Sequence, residues 1–164
     1  MELIKGGGQI HKTEAQYDAA LTSCEDIFSK KTKDYGTSWR VLRTISITDQ
    51  LYIKAQRIRT IQEKGTQKID EGTTGEFIAI VNYALIGNIQ AGLTDDAPEE
   101  LEFETTLKLY TQQAAAAKEL MQAKNHDYGE AWRSMSQESF VDLILMKLLR
   151  IRQIITNGGK TLIS

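Results

Sequence analysis

The sequence predicts an all-α protein, a duplicated helical bundle, on three observations. Only one of its 164 residues, Pro98, is a proline, whereas average usage would give about eight, so almost every segment is free to be helical. Apolar residues recur at helical spacing in several long segments. No segment shows a convincing alternation of apolar and polar residues, which a half-buried strand requires.

The amino-acid composition and net charge limit the classes of protein to which the chain can belong. With 41% hydrophobic and 26% charged residues, the chain resembles ordinary soluble globular proteins. A net charge of −2 provides no broad electrostatic footprint for duplex nucleic acid, so we do not expect that partner. The lone Cys24 and the lack of a signal-peptide pattern indicate the cytoplasm. Polar and glycine residues interrupt the uncharged stretch 77–94, which predicts a buried helix and no membrane span.

An internal repeat organises the chain. The segment 31–40 returns as 124–133, an offset of 93 residues, and the register continues without a gap to Gly65 and Gly158. Within this stretch 14 of 35 positions are identical, where background frequencies would give roughly two. We therefore predict a duplication, with a first repeat at 1–93 and a second at 94–164, folded together as one compact domain. The first-copy residues that match are Lys31, Asp34, Tyr35, Gly36, Trp39, Arg40, Ser46, Asp49, Lys54, Arg57, Ile58, Arg59, Ile61 and Gly65.

Each copy begins with a predicted helix that an Asp-Tyr-Gly sequence ends. The first helix follows Thr13-Glu-Ala-Gln16, which is a capping-box pattern, and its counterpart is predicted at about 99–123. Gly36 and Gly129 are the glycines of the two Asp-Tyr-Gly sequences. Because glycine adopts left-handed backbone conformations without strain, both positions predict a helix C-cap or turn.

A second helix follows in each copy, at about 47–64 and 140–157, and each is ended by a glycine. The first copy adds an apolar third helix at about 73–90. Phe77–Val81 could form a short strand in isolation, but the apolar run continues too far, which favours a helix. Pro98, in an acidic stretch, marks the linker between the copies.

The second helices contain a lysine within their apolar stripe. Lys54 and its counterpart Lys147 share the helical spacing of the apolar residues, and Arg57 and Arg150 follow three residues later on the border of that stripe. A buried charge without a partner costs several kcal/mol. Each lysine therefore requires a carboxylate, backbone carbonyls or a bound anion.

Two interpretations of these cations stay open. In the structural one, Asp34 and Asp127 form ion pairs with them while Trp39 and Trp132 fill the core. In the functional one, the cations bind phosphates and aromatic rings bind a base, which would make a nucleotide site. The candidate nucleotide-binding residues are Asp34, Tyr35, Trp39, Lys54, Arg57, Asp127, Tyr128, Trp132, Lys147 and Arg150.

Carboxylates offer weak candidates for Mg²⁺ ligands, which are oxygen atoms in most proteins. Asp49 and Asp142 recur in both copies, although Ser-x-x-Asp is also a capping-box variant at a helix start, and we favour the cap. Glu71 and Glu76 flank the start of the third helix. They are equally explained as first-turn acids that the helix dipole favours.

Both copies carry Lys-x-x-Asp-Tyr-Gly-x-x-Trp-Arg, followed by Asp-x-x-x-x-Lys-x-x-Arg-Ile-Arg. In these motifs the chain resembles the bacterial and phage nucleotide-modification-associated family. That family looks related to the all-α nucleoside triphosphate pyrophosphohydrolases of the MazG and dimeric dUTPase type. The resemblance implies a nucleoside triphosphate or modified nucleotide as substrate, with Mg²⁺ on helix-borne carboxylates activating water to cleave between the α- and β-phosphates.

The chain departs from those enzymes in its carboxylates. They typically carry a Glu-x-x-Glu pair on one helix and a Glu-x-x-Asp pair on another. Here Ala79 stands three residues after Glu76, and Glu25-Asp26 has no second carboxylate three residues on. The resemblance therefore supports an all-α fold and a nucleotide-related role better than it supports hydrolysis. The alternative hypothesis is a non-catalytic helical interaction or scaffold protein with structural ion pairs.

The second copy lacks a counterpart of the apolar third helix. Two periods of 93 residues would need 22 residues more than the chain has. Three explanations stay open: the sequence is truncated there, the helix at 77–89 serves both copies, or a second subunit supplies the missing surface. We favour the last, which predicts a homodimer.

Overall fold

The described part of the chain is entirely helical in the computed structural model. The backbone is described for residues 2–65 and 72–161, and the side chains from residue 12 onward within those ranges. These residues contain no strand, which confirms the all-α prediction. The helices are α1 (Glu2–Tyr35), α2 (Thr44–Lys64), α3 (Thr73–Gly92), α4 (Phe103–Tyr128) and α5 (Gln137–Thr156), with short 3-10 helices at Ser38–Val41 and Ala131–Ser134.

The Asp-Tyr-Gly sequences end α1 and α4 as predicted. Gly36 has φ 62° and Gly129 has φ 59°, which is the left-handed conformation of a helix C-cap. A 3-10 helix follows each glycine, and the two 3-10 helices begin 93 residues apart, at Ser38 and Ala131. The left-handed glycine and the 3-10 helix therefore recur in both turns, while the residue between them has a positive φ only in the second, at Glu130.

The first helix starts before the predicted cap. Because α1 begins at Glu2, Thr13 lies inside the helix, and the capping-box prediction at Thr13 was wrong. Its hydroxyl donates instead to Glu130, 117 residues further on. The counterpart helix α4 begins at Phe103, four residues later than predicted, and continues to Tyr128.

The second helices begin three residues before their predicted starts at 47 and 140. The residue that caps α5 is Ser136, whose hydroxyl accepts a hydrogen bond from the Ser139 N–H at 3.2 Å. The residue before α2 is Arg43, which makes no side-chain capping bond. The capping boxes predicted at Ser46 and Ser139 were therefore wrong, because both serines lie inside their helices.

The first compact unit comprises Met1–Arg40 and Asn88–Met135, with α1 and α4 antiparallel. The Tyr17 hydroxyl donates to the Ala114 carbonyl at 3.2 Å, and further along α1 the Phe28 ring stacks on Tyr110 at 4.3 Å between centroids. Phe28, Tyr110, Ala114 and Cys24 are buried and form the core of this unit.

The second compact unit comprises Val41–Gly87 and Ser136–Ser164, and α2 and α5 form an antiparallel pair within it. Its buried side chains include Ile58 and Val141, both fully inaccessible to solvent. Helix α3 packs on α2 at Gly87, where a Cβ would stand 3.4 Å from the Ile47 side chain. A glycine there allows the two helices to approach closely.

The two units combine halves of both repeats. The helices that precede the Asp-Tyr-Gly turns lie in the first unit, and the helices that follow them lie in the second. The repeat boundary at residue 93 describes the sequence, and that boundary and the single compact domain stay predictions. None of the described helices is long and apolar enough to cross a membrane.

Candidate functional site

The first Asp-Tyr-Gly turn is fastened to the linker before α4. Thr37, fully buried, donates its hydroxyl to the Glu99 carbonyl at 2.7 Å and accepts from the Leu101 N–H at 2.9 Å. Its own N–H donates to the Glu100 carboxylate at 3.3 Å. A Cβ on Gly36 would displace that carboxylate, which is the end of a flexible side chain, so it is the left-handed backbone conformation that requires glycine.

Arg40 completes the attachment of this turn. Its guanidinium donates to the Gln90 side chain and to the carbonyls of Ala97 and Pro98, at 3.1 and 3.2 Å. Gln90 in turn donates to the Arg40 carbonyl at 2.6 Å. The arginine that recurs after each tryptophan therefore has a structural role in the first repeat.

The second turn contains its own buried carboxylate, Glu130. This residue has φ 68°, the only positive φ outside glycine in the described part of the chain. Its carboxylate accepts from Thr13 at 2.5 Å, from Asn125 at 2.7 Å, and from the Trp132 indole and Arg133 at 3.1 Å each. The left-handed conformation aims the side chain inward, where four donors meet it.

These donors control the ionisation of Glu130. Burial by itself raises the pKa of the carboxyl, but hydrogen bonds from Thr13 and Asn125 and the charge of Arg133 lower it by more, so the net pKa is below its usual value. Arg133 also donates to Thr13 at 2.7 Å and to Gln16 at 2.9 Å. The cluster ties the second turn to α1, as Glu100 and Arg40 tie the first turn to the linker.

Sequence comparison between the repeats missed Glu130, because residue 37, its counterpart, is a threonine. The recurrence of the Trp-Arg dipeptide was the available signal, since each arginine fastens its turn. The carboxylate partner is placed differently in each copy: Glu100 belongs to the linker and Glu130 to the turn itself. A search for identical residues finds neither.

The predicted aspartates and tyrosines of the turns point to solvent. Tyr35 is 72% exposed and Tyr128 is 73% exposed, and Asp34 and Asp127 are also exposed. The antiparallel packing places the first turn beside the start of α4 and the second beside Thr13. The 23 residues of α1 between these points span on the order of 30 Å, so the two turns lie on separate surfaces of the first unit.

The tryptophans differ in their surroundings. Trp39 is half-buried, and its indole N–H is buried with no hydrogen-bond partner in the described structure. Trp132 is 37% exposed, lies 4.6 Å from the Arg133 guanidinium, and donates to Glu130. Neither tryptophan is fully buried, so neither fills a core as the structural interpretation required.

In the second unit, reciprocal ion pairs join α2 and α5. Asp49 contacts Arg152 at 3.0 Å, and Asp142 contacts Arg59 at 3.9 Å. Each pair joins an aspartate of one repeat to an arginine of the other, and Arg59 also pairs with Glu63 at 3.1 Å. This register also brings Lys54 and Lys147 to the same level of the antiparallel helix pair.

Helix α3 supplies partners for the cations of the first repeat. The Lys54 ammonium lies 5.7 Å from the centre of the Tyr83 ring, which is a cation-π contact. Arg57 forms an ion pair with Glu76 at 2.9 Å, in which both side chains are mostly buried. The partner of Lys54 is therefore a ring, which is none of the three kinds predicted, whereas Arg57 has a carboxylate, and both partners belong to α3.

The counterparts Lys147 and Arg150 lie on α5, and both are exposed. Neither has an ion-pair or hydrogen-bond partner among the residues that the structure describes. Within the described part of the chain, no helix after α5 provides an acid and a ring for them. The same two cations are therefore partnered in one repeat and open to solvent in the other.

The predicted metal ligands do not converge in the described structure. Glu76 binds Arg57, Asp49 binds Arg152, and Asp142 approaches Arg59. Glu71 lies outside the described residues. Within the described ranges no three His, Cys, Asp or Glu side chains form a group that could hold a metal ion.

A comparison with known protein families assigns the chain to one of them. The family described as nucleotide modification associated domain 1 matches residues 31–91 and 124–164. These ranges cover more than half of the chain and include the Asp-Tyr-Gly turns, α2, most of α3 and α5. The chain belongs to this family, whose description connects it with nucleotide modification. Searches of curated proteins and of solved structures returned no match.

Proposed function

We propose that this protein binds nucleotides and that Lys147 and Arg150 hold the phosphate groups. One observation carries the proposal: α3 provides a carboxylate for Arg57 and a ring for Lys54 in the first repeat, whereas Lys147 and Arg150 are exposed and have no such partner among the described residues. Cations at i and i+3 of one helix lie on the same face, within reach of a single phosphate chain. A bound anion would replace the missing carboxylate.

Apolar side chains adjoin the two cations on α5. Phe140 stands seven residues before Lys147, two helical turns away on the same face, and is half-buried. Ile151, four residues after Lys147, is 39% exposed. A nucleotide joins an anionic chain to a flat, largely apolar base, so this strip of α5 has the chemistry to contact both parts.

The family description favours a nucleotide over other anions. A cytoplasmic location, where nucleotides are abundant and Cys24 stays reduced, is part of the same proposal. Hydrolysis of the MazG or dimeric dUTPase type would need Mg²⁺ on carboxylates. Since Asp49 and Glu76 already form close ion pairs, we propose binding as the function and treat Mg²⁺-dependent hydrolysis as an outcome to be measured.

The alternative is a non-catalytic interaction or scaffold protein, and the first repeat supports it. There the same cations join α2 to α3. If Lys147 and Arg150 only increase solubility, their removal changes nothing measurable. The two hypotheses therefore differ in what the second-repeat cations do.

Isothermal titration calorimetry with nucleoside mono-, di- and triphosphates, with and without Mg²⁺, tests the proposal. We expect saturable binding, and at least about a tenfold loss of affinity in Lys147→Ala and in Arg150→Ala, because each removes a charge-assisted contact. The matched variants Lys54→Ala and Arg57→Ala should lower the melting temperature while affinity stays within about twofold.

Two results would refute nucleotide binding at α5: no heat of binding with any nucleotide at millimolar concentration, or affinity unchanged in both second-repeat variants. Release of pyrophosphate from a triphosphate in the presence of Mg²⁺ would extend the proposal to an enzyme. Loss of that release in Asp49→Asn or Asp142→Asn would then identify a carboxylate that the reaction requires.

A further inference from the structure

We propose that a second copy of this chain binds the face of α5 that points away from α2, helix against helix and antiparallel. Three large apolar residues occupy this outer face: Leu143 is 41% exposed, Met146 is 58% exposed and Leu149 is 53% exposed. They stand three residues apart, so they form one stripe about two helical turns long. Large apolar side chains grouped on a surface in this way indicate an interaction site.

The first repeat shows that packing of the helix pair does not require apolar residues at these positions. The counterparts of Leu143 and Leu149 on α2 are Gln50 and Gln56, and only the central position, Ile53, is also apolar. The α2/α5 pair therefore forms although two of these three positions are polar on α2, whereas all three are apolar on α5. The outer face of α5 has an additional role that α2 lacks.

The stripe matches a reversed copy of itself. In an antiparallel pair whose two-fold axis passes beside Met146, Leu143 reaches the level of the partner's Leu149, so each leucine meets a leucine. Asp142 and Arg150 stand four residues before and after Met146, so the same axis brings Asp142 to the level of the partner's Arg150. A parallel pair would bring like charges together instead. Charge and shape therefore favour a second copy in antiparallel orientation.

Arg150 lies at the edge of this apolar face, and it is also one of the α5 residues that we propose bind nucleotides. A guanidinium has five N–H donors, so an ion pair with a carboxylate leaves donors for a phosphate. Asp142 is also available, because its contact with Arg59 is long, at 3.9 Å. The dimer and the nucleotide site are thus compatible, and the dimer does not depend on nucleotide binding.

The interface is small. A face two to three turns long buries less than the roughly 1,600 Å² of a standard interface, so we expect association in the micromolar range. Sedimentation velocity without nucleotide, from about 1 to about 200 μM, should show a monomer-dimer equilibrium. Met146→Lys puts a charge at the centre of the stripe and should weaken dimerisation at least about tenfold, because an unpaired charge in an apolar contact is costly.

The repeat provides a matched control. Ile53 occupies the same repeat position on α2 and is 53% exposed, close to the value for Met146. Ile53→Lys should leave the dimerisation constant unchanged, and both variants should retain the helical circular dichroism of the wild type. A wild-type monomer at about 200 μM would overturn the proposal, and so would equal weakening by both lysine variants.

A charge exchange tests the orientation. Asp142→Arg should weaken the dimer because it faces the partner's Arg150, and adding Arg150→Asp should restore association. Failure of the double variant to recover would refute the antiparallel arrangement. Dimerisation is the only readout, so a negative result here is distinguishable from a failure of nucleotide binding.

Discussion

Ile58 and Ile151 occupy the same position in the two repeats but differ in burial. Ile58 is fully buried on α2, whereas Ile151 on α5 is 39% exposed. In the described structure α3 contacts α2 at Lys54 and Arg57, which lie four residues and one residue before Ile58, and no described helix contacts α5 in the same way. We attribute the difference in burial to that helix. Truncating each isoleucine to alanine therefore measures how much α3 contributes at this position.

The expected losses follow from burial. Ile→Ala in a protein core costs about 2–5 kcal/mol, and the upper half of that range applies to Ile58, since the surroundings are closed on all sides. For Ile151, part of the side chain is already in water and solvent can fill the space, so we expect about 1–2 kcal/mol. The change in helix propensity is the same at both positions and cancels in the comparison.

Urea denaturation followed by far-UV circular dichroism provides the free energies of unfolding. We expect Ile58→Ala to lose about 2 kcal/mol more than Ile151→Ala. In a chain of this length that difference corresponds to about 4–8 °C in melting temperature. Equal losses would refute the reasoning, because they would mean that α3 does not protect Ile58 in solution.

Two further predictions concern titratable groups. The lowered pKa of Glu130 means that its carboxylate stabilises the fold above its unfolded pKa, near 4.5, and that this stabilisation is lost as pH falls through the lower folded value. Glu130→Gln should therefore melt below the wild type at neutral pH, with a gap that narrows below about pH 4.5 in thermal scans; a constant gap would contradict this. Cys24 is buried, and burial raises the pKa of its thiol, so the native protein should react with a thiol reagent only as fast as it unfolds. Reaction of native protein at the rate of a free thiol would show that Cys24 is accessible.

The positions of the helices could be predicted where residues close together along the chain determine them. The apolar periodicity predicted each helix, and Gly36 and Gly129 predicted the ends of α1 and α4. The starts of the helices were less predictable. A serine or threonine followed three residues later by an acidic or amide residue is typical of a helix start, but the same pattern also occurs within helices. Thr13 is the clearest case: its hydroxyl bonds to Glu130, which no local pattern indicates.

For the candidate site, the sequence predicted that the cations need partners, but it did not predict which residues those partners are. The lysine within an apolar stripe indicated that a partner must exist, and Lys54 has one. The predicted partner was an aspartate of the turn, whereas Tyr83 and Glu76 of α3 contact the two cations of the first repeat. Both repeats have the same cations, so the sequence pattern treats them alike. Only the packing of α3 distinguishes them.

By itself the sequence determined the all-α class, the 93-residue repeat and the turns, because these depend on backbone preferences and on contacts between residues close along the chain. Tertiary structure alone decided which charges distant along the chain meet. Asp49 pairs with Arg152 across 103 residues, and Glu130 bonds to Thr13 across 117. Such pairings depend on which helices lie side by side, and packing of apolar surfaces sets that arrangement. The exposure of Lys147 and Arg150 follows from the same packing, since the only third helix in the described chain packs on α2 at the matching cations of the first repeat.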